Sequence, residues 1–394
     1  MVSISTADAA LKSYYLDAVA AQLNTGINPL LAKIECTTAD VWGKNIIKSV
    51  TYGLNGGVGA GAETGNLPVA SGNSYAKMTS TLKNLYGTIE ISDKVILASA
   101  NNSGAFINVL NAEMEGLLRA SKFNFGRMLY GDGTGVITTT VAFSGNTDKH
   151  LFKVSSTKKL MEGMLIDIYP SSGSTPALTA RKILEIDRIN NVVKFDGVTL
   201  DSVIGADYRI TMQGSYGVEI TGLGSIFKTT GNIYGLSRDN NAWLVPYIHT
   251  DNGAISTGTI QTAIDYIDEI SGGSVNYIST AYDVRRFYLD YLALSRTNID
   301  YMNLDGGFKA ISYNGIPVVA DRFVDDGKMY LLNTDNFKIH QLCDWRWIEG
   351  ENGRVLTQRS GSATYTATLV KYAELICDRP IGQAMITGIT AASA

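Results

Sequence analysis

The chain has 394 residues, 45% of them hydrophobic, enough to bury a sizeable core spread over two or three domains. Only 18% are charged, and 33 Lys+Arg against 37 Asp+Glu leave a net charge of -4, so no basic excess exists to release counterions from a nucleic-acid backbone. Cys36, Cys343 and Cys377 form no CxxC pair, which excludes a disulfide framework and a structural zinc site and suits thiols kept reduced in a cytosol. No run approaches roughly 18 apolar residues and no basic segment opens the chain, so neither a membrane span nor a signal peptide is expected.

In chain order, residues 6–24 predict an amphipathic helix, with Leu11, Tyr15, Val19 and Leu23 recurring at i+4 before Gly26. Residues 27–50 have no sustained period and suit an extended arm. Residues 53–74 carry seven glycines and Pro68, a composition for a flexible loop. Leu85 to Ser92 then alternates, predicting a strand buried on its Leu85/Ile89/Ile91 face. Together these predict a two-stranded excursion with one glycine-rich limb.

Residues 103–129 predict the strongest helix, capped by Ser103. Phe106, Leu110, Met114, Leu117, Leu118, Phe125, Met128 and Leu129 form one face. Asn108, Asn111, Glu115, Arg119 and Lys122 form the other, with Glu115 and Arg119 as an i,i+4 pair. The helix would span about 40 Å and stop at Tyr130-Gly131-Asp132-Gly133-Thr134-Gly135.

Residues 145–212 change to short β runs with turn residues between, Asn190-Asn191 being a turn that tolerates positive φ. The segment has its own apolar set: Phe152, Val154, Leu165, Ile168, Ile183, Ile186, Val193 and Phe195. It reads as a small all-β module. Over 241–349, helices 259–271 and 282–294 alternate with strands 275–278, 317–320, 329–332 and 337–342, an α/β layer. Residues 354–389 read as long strands.

Little points to chemistry. His150, His249 and His340 lack metal-ligand spacing. No GxSxG elbow and no GxxxxGK[ST] loop occurs. Gly57-Val58-Gly59-Ala60-Gly61 precedes no helix N-terminus, so the dipole that would hold a phosphate is missing. Asp132 with neighbouring carbonyls is one carboxylate, short of a calcium loop. Trp345 and Trp347 share one strand face, which suits a sugar or base platform and suits better a core or subunit contact. No catalytic residue, cofactor or metal is expected. A long helix, a loop excursion and an arm describe a subunit that needs neighbours.

The residues carry a resemblance. Gly87-Thr88-Ile89-Glu90-Ile91-Ser92-Asp93-Lys94 precedes Asn111-Ala112-Glu113-Met114-Glu115-Gly116-Leu117-Leu118, and the helix ends in Leu129-Tyr130-Gly131-Asp132-Gly133-Thr134-Gly135. Gly306-Gly307-Phe308, the run Tyr313 to Asp321 and the run Ala363 to Tyr372 follow in order. This order and spacing resembles the major capsid proteins of tailed bacteriophages with the Hong Kong 97-type fold, over most of the chain outside 145–212.

The resemblance implies an α+β fold: an N-terminal arm 1–50 and an extended loop 51–95. A peripheral domain then covers 96–144, 213–240 and 350–394, with an axial domain at 241–349. The β module 145–212 would be inserted and project from the outer surface, or else support subunit contacts. The family implies a virion shell of hexamers and pentamers assembled in the bacterial cytoplasm around double-stranded DNA, with a portal as partner. The arm-like helix begins close to Met1, so scaffolding would come from a separate protein or be absent. Candidate assembly residues are Gly57, Gly59, Gly61 and Glu63 in the loop, Glu90, Glu115 and Arg119, and Trp345 and Trp347. The alternatives are a nanocompartment shell of the same fold, a carbohydrate-binding phage surface protein and a cytosolic α/β enzyme.

Overall fold

The apolar period of residues 103–129 folds as one 27-residue helix, α1 (Ser103–Leu129). The computed structural model describes residues 28–94, 103–251, 253–294, 301–303, 309–350 and 355–391, with side chains over 28–94, 113–251, 253–294, 311–350 and 355–391. The predicted helix 6–24 lies outside these residues, as do the side chains of Phe106, Asn108, Leu110 and Asn111. Met114, Leu118, Phe125, Met128 and Leu129 are buried, as the spacing predicts, while Glu115 and Arg119 are exposed. Near its C-terminus α1 is buried all round, because Phe123, Arg127 and Tyr130 also face other elements.

The helix lies on strand Lys83–Ser92, whose residues alternate as predicted: Leu85, Gly87, Ile89 and Ile91 are buried and Tyr86, Thr88 and Glu90 exposed. Gly87 marks the closest approach, since a Cβ there would sit 2.8 Å from Leu117 Cδ1. This strand is not a limb of the excursion. It pairs antiparallel with Thr364–Cys377, from Ser92 opposite Thr364 to Lys83 opposite Ala373. The sheet also holds Phe337–Trp347, Glu35–Thr37 and Thr357–Gln358. Phe337–Trp347 was expected in the α/β layer. Instead the 3-10 turn Thr334–Asn336 redirects the chain, and register shifts near Gln341–Cys343 and Cys343–Arg346 let the strand follow Thr364–Cys377.

The excursion is built from Asn45–Gly53 and Ser74–Thr81, with Val41–Trp42 on its edge. It therefore starts inside the expected arm 1–50, and the glycine-rich residues form its tip, 54–73, not a limb. Glycines weaken strand interiors and suit the turn between two strands. Ile46 and Met78 are buried at the base, Tyr52 stacks on Trp243 at 5.4 Å, and the Thr79 N–H donates to Tyr234 O at 2.8 Å.

The second sheet has seven strands in the order Tyr247–Thr250, Ala384–Thr387, Met329–Leu332, Tyr277–Thr280, Ile316–Ala320, Lys309–Tyr313, Tyr301–Asn303. Helices α2 (Thr257–Ser271) and α3 (Tyr282–Leu294) pack on it, close to their predicted spans. The Ser256 side chain caps α2 by accepting the Thr259 N–H at 3.1 Å. Ala384–Thr387 completes this sheet, so the C-terminal residues do not all stay with the first one.

Six strands close into a barrel: Val136–Val141, Leu151–Val154, Leu165–Tyr169, Leu178–Asp187, Val192–Phe195 and Arg209–Met212. The barrel takes in Val136–Val141, which the segment 145–212 leaves out. Its core includes every expected apolar residue except Leu165, which is exposed, with Ile166 buried in its place. Ile168 keeps its expected inward place, and Ile166, two residues before it, shares that face where Leu165 does not. Asn191 has φ 55, as the hairpin turn requires.

Candidate functional site

The excursion tip is the most apolar exposed segment of the described chain. Leu54, Val58, Leu67 and Val69 are 96%, 89%, 89% and 87% exposed. Gly57, Gly59, Gly61 and Glu63 lie among them, and Glu63 is the only charged residue over 54–73. Local hydrogen bonds shape the tip: the Gly57 N–H donates to Asn55 Oδ1 at 2.8 Å and the Gly65 N–H to Ala62 O at 2.9 Å. Side chains this exposed and this apolar mark an interaction surface.

The other candidate residues separate. Glu90 lies on the outer face of its strand, 3.6 Å from Arg359 Nη1. Arg119 Nη2 and Glu115 Oε2 stand 3.5 Å apart on the solvent face of α1, and such an exposed pair contributes little to stability. Trp345 and Trp347 are 5% and 3% exposed and belong to the core, with Trp345 edge-on to Phe125 at 6.4 Å. Burial within their own chain leaves neither side chain open to a neighbour.

Polar groups that the sequence reading missed tie α1, the two sheets and the segment after the barrel to one another. Arg127 makes a two-pronged pair with Glu219, its Nη1 at 3.0 Å from Glu219 Oε2, and also donates to Asn124 Oδ1. Lys371, inside the first sheet, donates to Asp344 Oδ1 and Gln341 Oε1, both at 2.6 Å. Glu374 accepts the Thr221 N–H at 2.6 Å and the Leu375 N–H at 3.0 Å, and burial pushes its carboxyl up to about 7. Tyr130, just past α1, hydrogen-bonds Ser279 at 2.7 Å and donates to Asp321 at 3.2 Å, and burial pushes Asp321 up to about 6. The bonds from Arg127 to Glu219, Glu374 to Thr221 and Tyr130 to Ser279 and Asp321 join residues 92 to 191 apart, so they have no local sequence signature.

Among the described residues no three His, Cys, Asp or Glu side chains converge as a metal site. Asp132 accepts the Thr134 N–H at 3.1 Å and stands 3.4 Å from Lys228 Nζ. His340 is buried with Nδ1 2.9 Å from Ala39 O. A cleft of about 370 Å³ lies between strand 83–92, α1 and residues 213–219; its titratable lining is Lys83, Tyr86 and Glu219, and Glu219 is taken up by Arg127.

No protein-family model matches the sequence, and no curated protein matches it. Solved structures do. The capsid asymmetric unit of cyanophage A-1(L) is similar over 92% of this chain and 92% of that chain, with a TM-score of 0.56 at 14% identity. A holo-SrpI encapsulin complex from Synechococcus elongatus PCC 7942 aligns over 93% and 89% at TM-score 0.49 and 10% identity. The capsid of the native GTA particle aligns over 92% and 90% at TM-score 0.46 and 11% identity. The fold is that of a phage capsid subunit, a mixed α/β fold of the Hong Kong 97 type. The cyanophage likeness covers 92% of both chains and is one of overall fold.

Proposed function

We propose that the chain is the major capsid protein of a tailed bacteriophage, assembling into hexamers and pentamers of an icosahedral shell around genomic double-stranded DNA. The observation that carries this reading is the likeness to the cyanophage A-1(L) capsid over 92% of both chains, joined to an apolar tip that none of the described residues covers. The tip, reaching over a neighbouring copy, would bury Leu54, Val58, Leu67 and Val69. Arm, tip and sheet edges then share the binding among many modest contacts, so avidity replaces a single tight interface.

On this reading the first sheet with α1 is the peripheral domain, the seven-stranded sheet with α2 and α3 is the axial domain, and the barrel is an inserted module carried on the outer surface. The role is structural, in the virion, after assembly in the host cytoplasm with a portal and a scaffolding function. Electron microscopy of the purified protein tests it. Closed shells or hexameric and pentameric capsomers support the proposal, and discrete small oligomers that never close overturn it.

A further inference from the structure

The barrel and the rest of the chain have separate hydrophobic cores. No buried residue belongs to both, and Met164, half-buried, is the one side chain among the described residues packed against each. The chain enters and leaves the barrel through a narrow neck. Its two segments are stitched together where the Gly217 N–H donates to Thr134 O at 2.8 Å. A Cβ at Gly135, whose φ is +78°, would collide with the Ser215 carbonyl oxygen. A neck of two chain segments allows a rigid module to tilt unless something else holds it.

Something else does. Across a 130 Å³ cleft the barrel presents Lys158 and Lys159 to the turn that holds Asp325 and Asp326. Lys159 Nζ lies 2.6 Å from Asp325 Oδ1, Lys158 pairs with Asp326, and Lys328 meets Asp325 from its own turn at 3.0 Å. Burial would raise the Asp325 carboxyl, but Lys159 and Lys328 override it and hold it below the usual carboxylate range. Lys158, Asp326 and Asp325 are about half exposed and Lys159 is 18% exposed, so each pair keeps its carboxylate open to solvent. Such pairs are individually weak and screened by salt, which suits a contact that opens and closes.

We propose that Lys158 and Lys159, paired with Asp326 and Asp325, form an ionic latch that sets the angle of the barrel and releases it to swing about its neck. The latch is a property of the single chain and stands apart from the shell reading. In an assembly it lets the barrel take different angles at places where neighbours crowd it differently, without disturbing either core.

The test uses the full chain as unassembled subunits with spin labels at Ser172→Cys on the barrel and Asp335→Cys on the body, after Cys36→Ser and Cys343→Ser. Electron–electron resonance reads the distance between the labels. At low salt the distribution is narrow. Rising salt broadens it in the otherwise unaltered chain, and Lys158→Glu with Lys159→Glu broadens it at low salt. Adding Asp325→Lys and Asp326→Lys to that double variant restores the narrow distribution. Should the reversal fail to fold, the salt series gives the same reading without it. A distribution unchanged by salt overturns the latch, and so does a broadened one that the charge swap leaves broad.

Discussion

Arg127, on the last turn of α1, meets Glu219 in a two-pronged pair with each side chain only 3% exposed. The pair joins the long helix to the segment that leaves the barrel, and Asn124 one turn earlier completes the guanidinium's partners. Removing either member strands a buried charge. Arg127→Ala or Glu219→Ala should destabilise the subunit by about 3–5 kcal/mol, whereas Arg127→Met with Glu219→Leu should cost far less. Urea unfolding of unassembled subunits measures both, and equal losses for the single and double variants would contradict the pairing.

The close packing of α1 on its strand gives a second test. A Cβ at Gly87 falls 2.8 Å from Leu117 Cδ1, so Gly87→Ala should destabilise by about 1–3 kcal/mol through overpacking. Leu117→Ala in the same chain should recover part of that loss, because it removes the atom that is struck. A melting temperature unmoved by Gly87→Ala would show that helix and strand sit further apart.

Glu374 gives the chain a pH-dependent stability of definite sign. Burial raises its carboxyl from 4.5 to about 7, against the pull of the Thr221 N–H and Lys83. The folded chain therefore holds this proton more tightly than the unfolded chain. The contribution is complete below the ordinary carboxylate value and fades as pH rises through about 7. Asp321, pushed up to about 6, adds a slope of the same sign at lower pH. Glu374→Gln should flatten the fall in stability between about 4.5 and 7, read from urea midpoints across that window. A variant with an unchanged slope would contradict the assignment.

At the tip, Gly57→Val, Gly59→Val and Gly61→Val together should leave subunit stability within about 0.5 kcal/mol, because these residues touch no core. Shell yield on a density gradient should fall, since β-branched residues stiffen the segment that must fit a neighbour. Full yield from the triple variant would mean that the tip does not act by its pliancy.

Much of the fold was legible where one element's own pattern decides it. The period of Met114, Leu118, Phe125 and Leu129 defined α1, and the alternation from Leu85 to Ile91 defined the buried face of its strand. Pairing was not legible. The strand 83–92 binds Thr364–Cys377, nearly 280 residues away, and nothing in its alternation names that partner. Leu165 and Ile168, three residues apart, cannot share one face of a strand, and it is Ile166 that alternates with Ile168 in the barrel core. Trp345 and Trp347 share a strand face as expected, but only the packing of Phe125 against Trp345 shows that this face is internal. The candidate surface was legible as glycine-rich composition, while the apolar residues between the glycines showed their meaning only once the structure left them uncovered.

A cryo-electron microscopy reconstruction of particles formed by the full chain tests the central claim most directly, because it shows both the assembly and what covers the tip. The account predicts an icosahedral shell of hexamers and pentamers, with Leu54, Val58, Leu67 and Val69 buried against a neighbouring copy. A discrete oligomer without a closed shell, or a shell in which these four side chains remain in solvent, would contradict it.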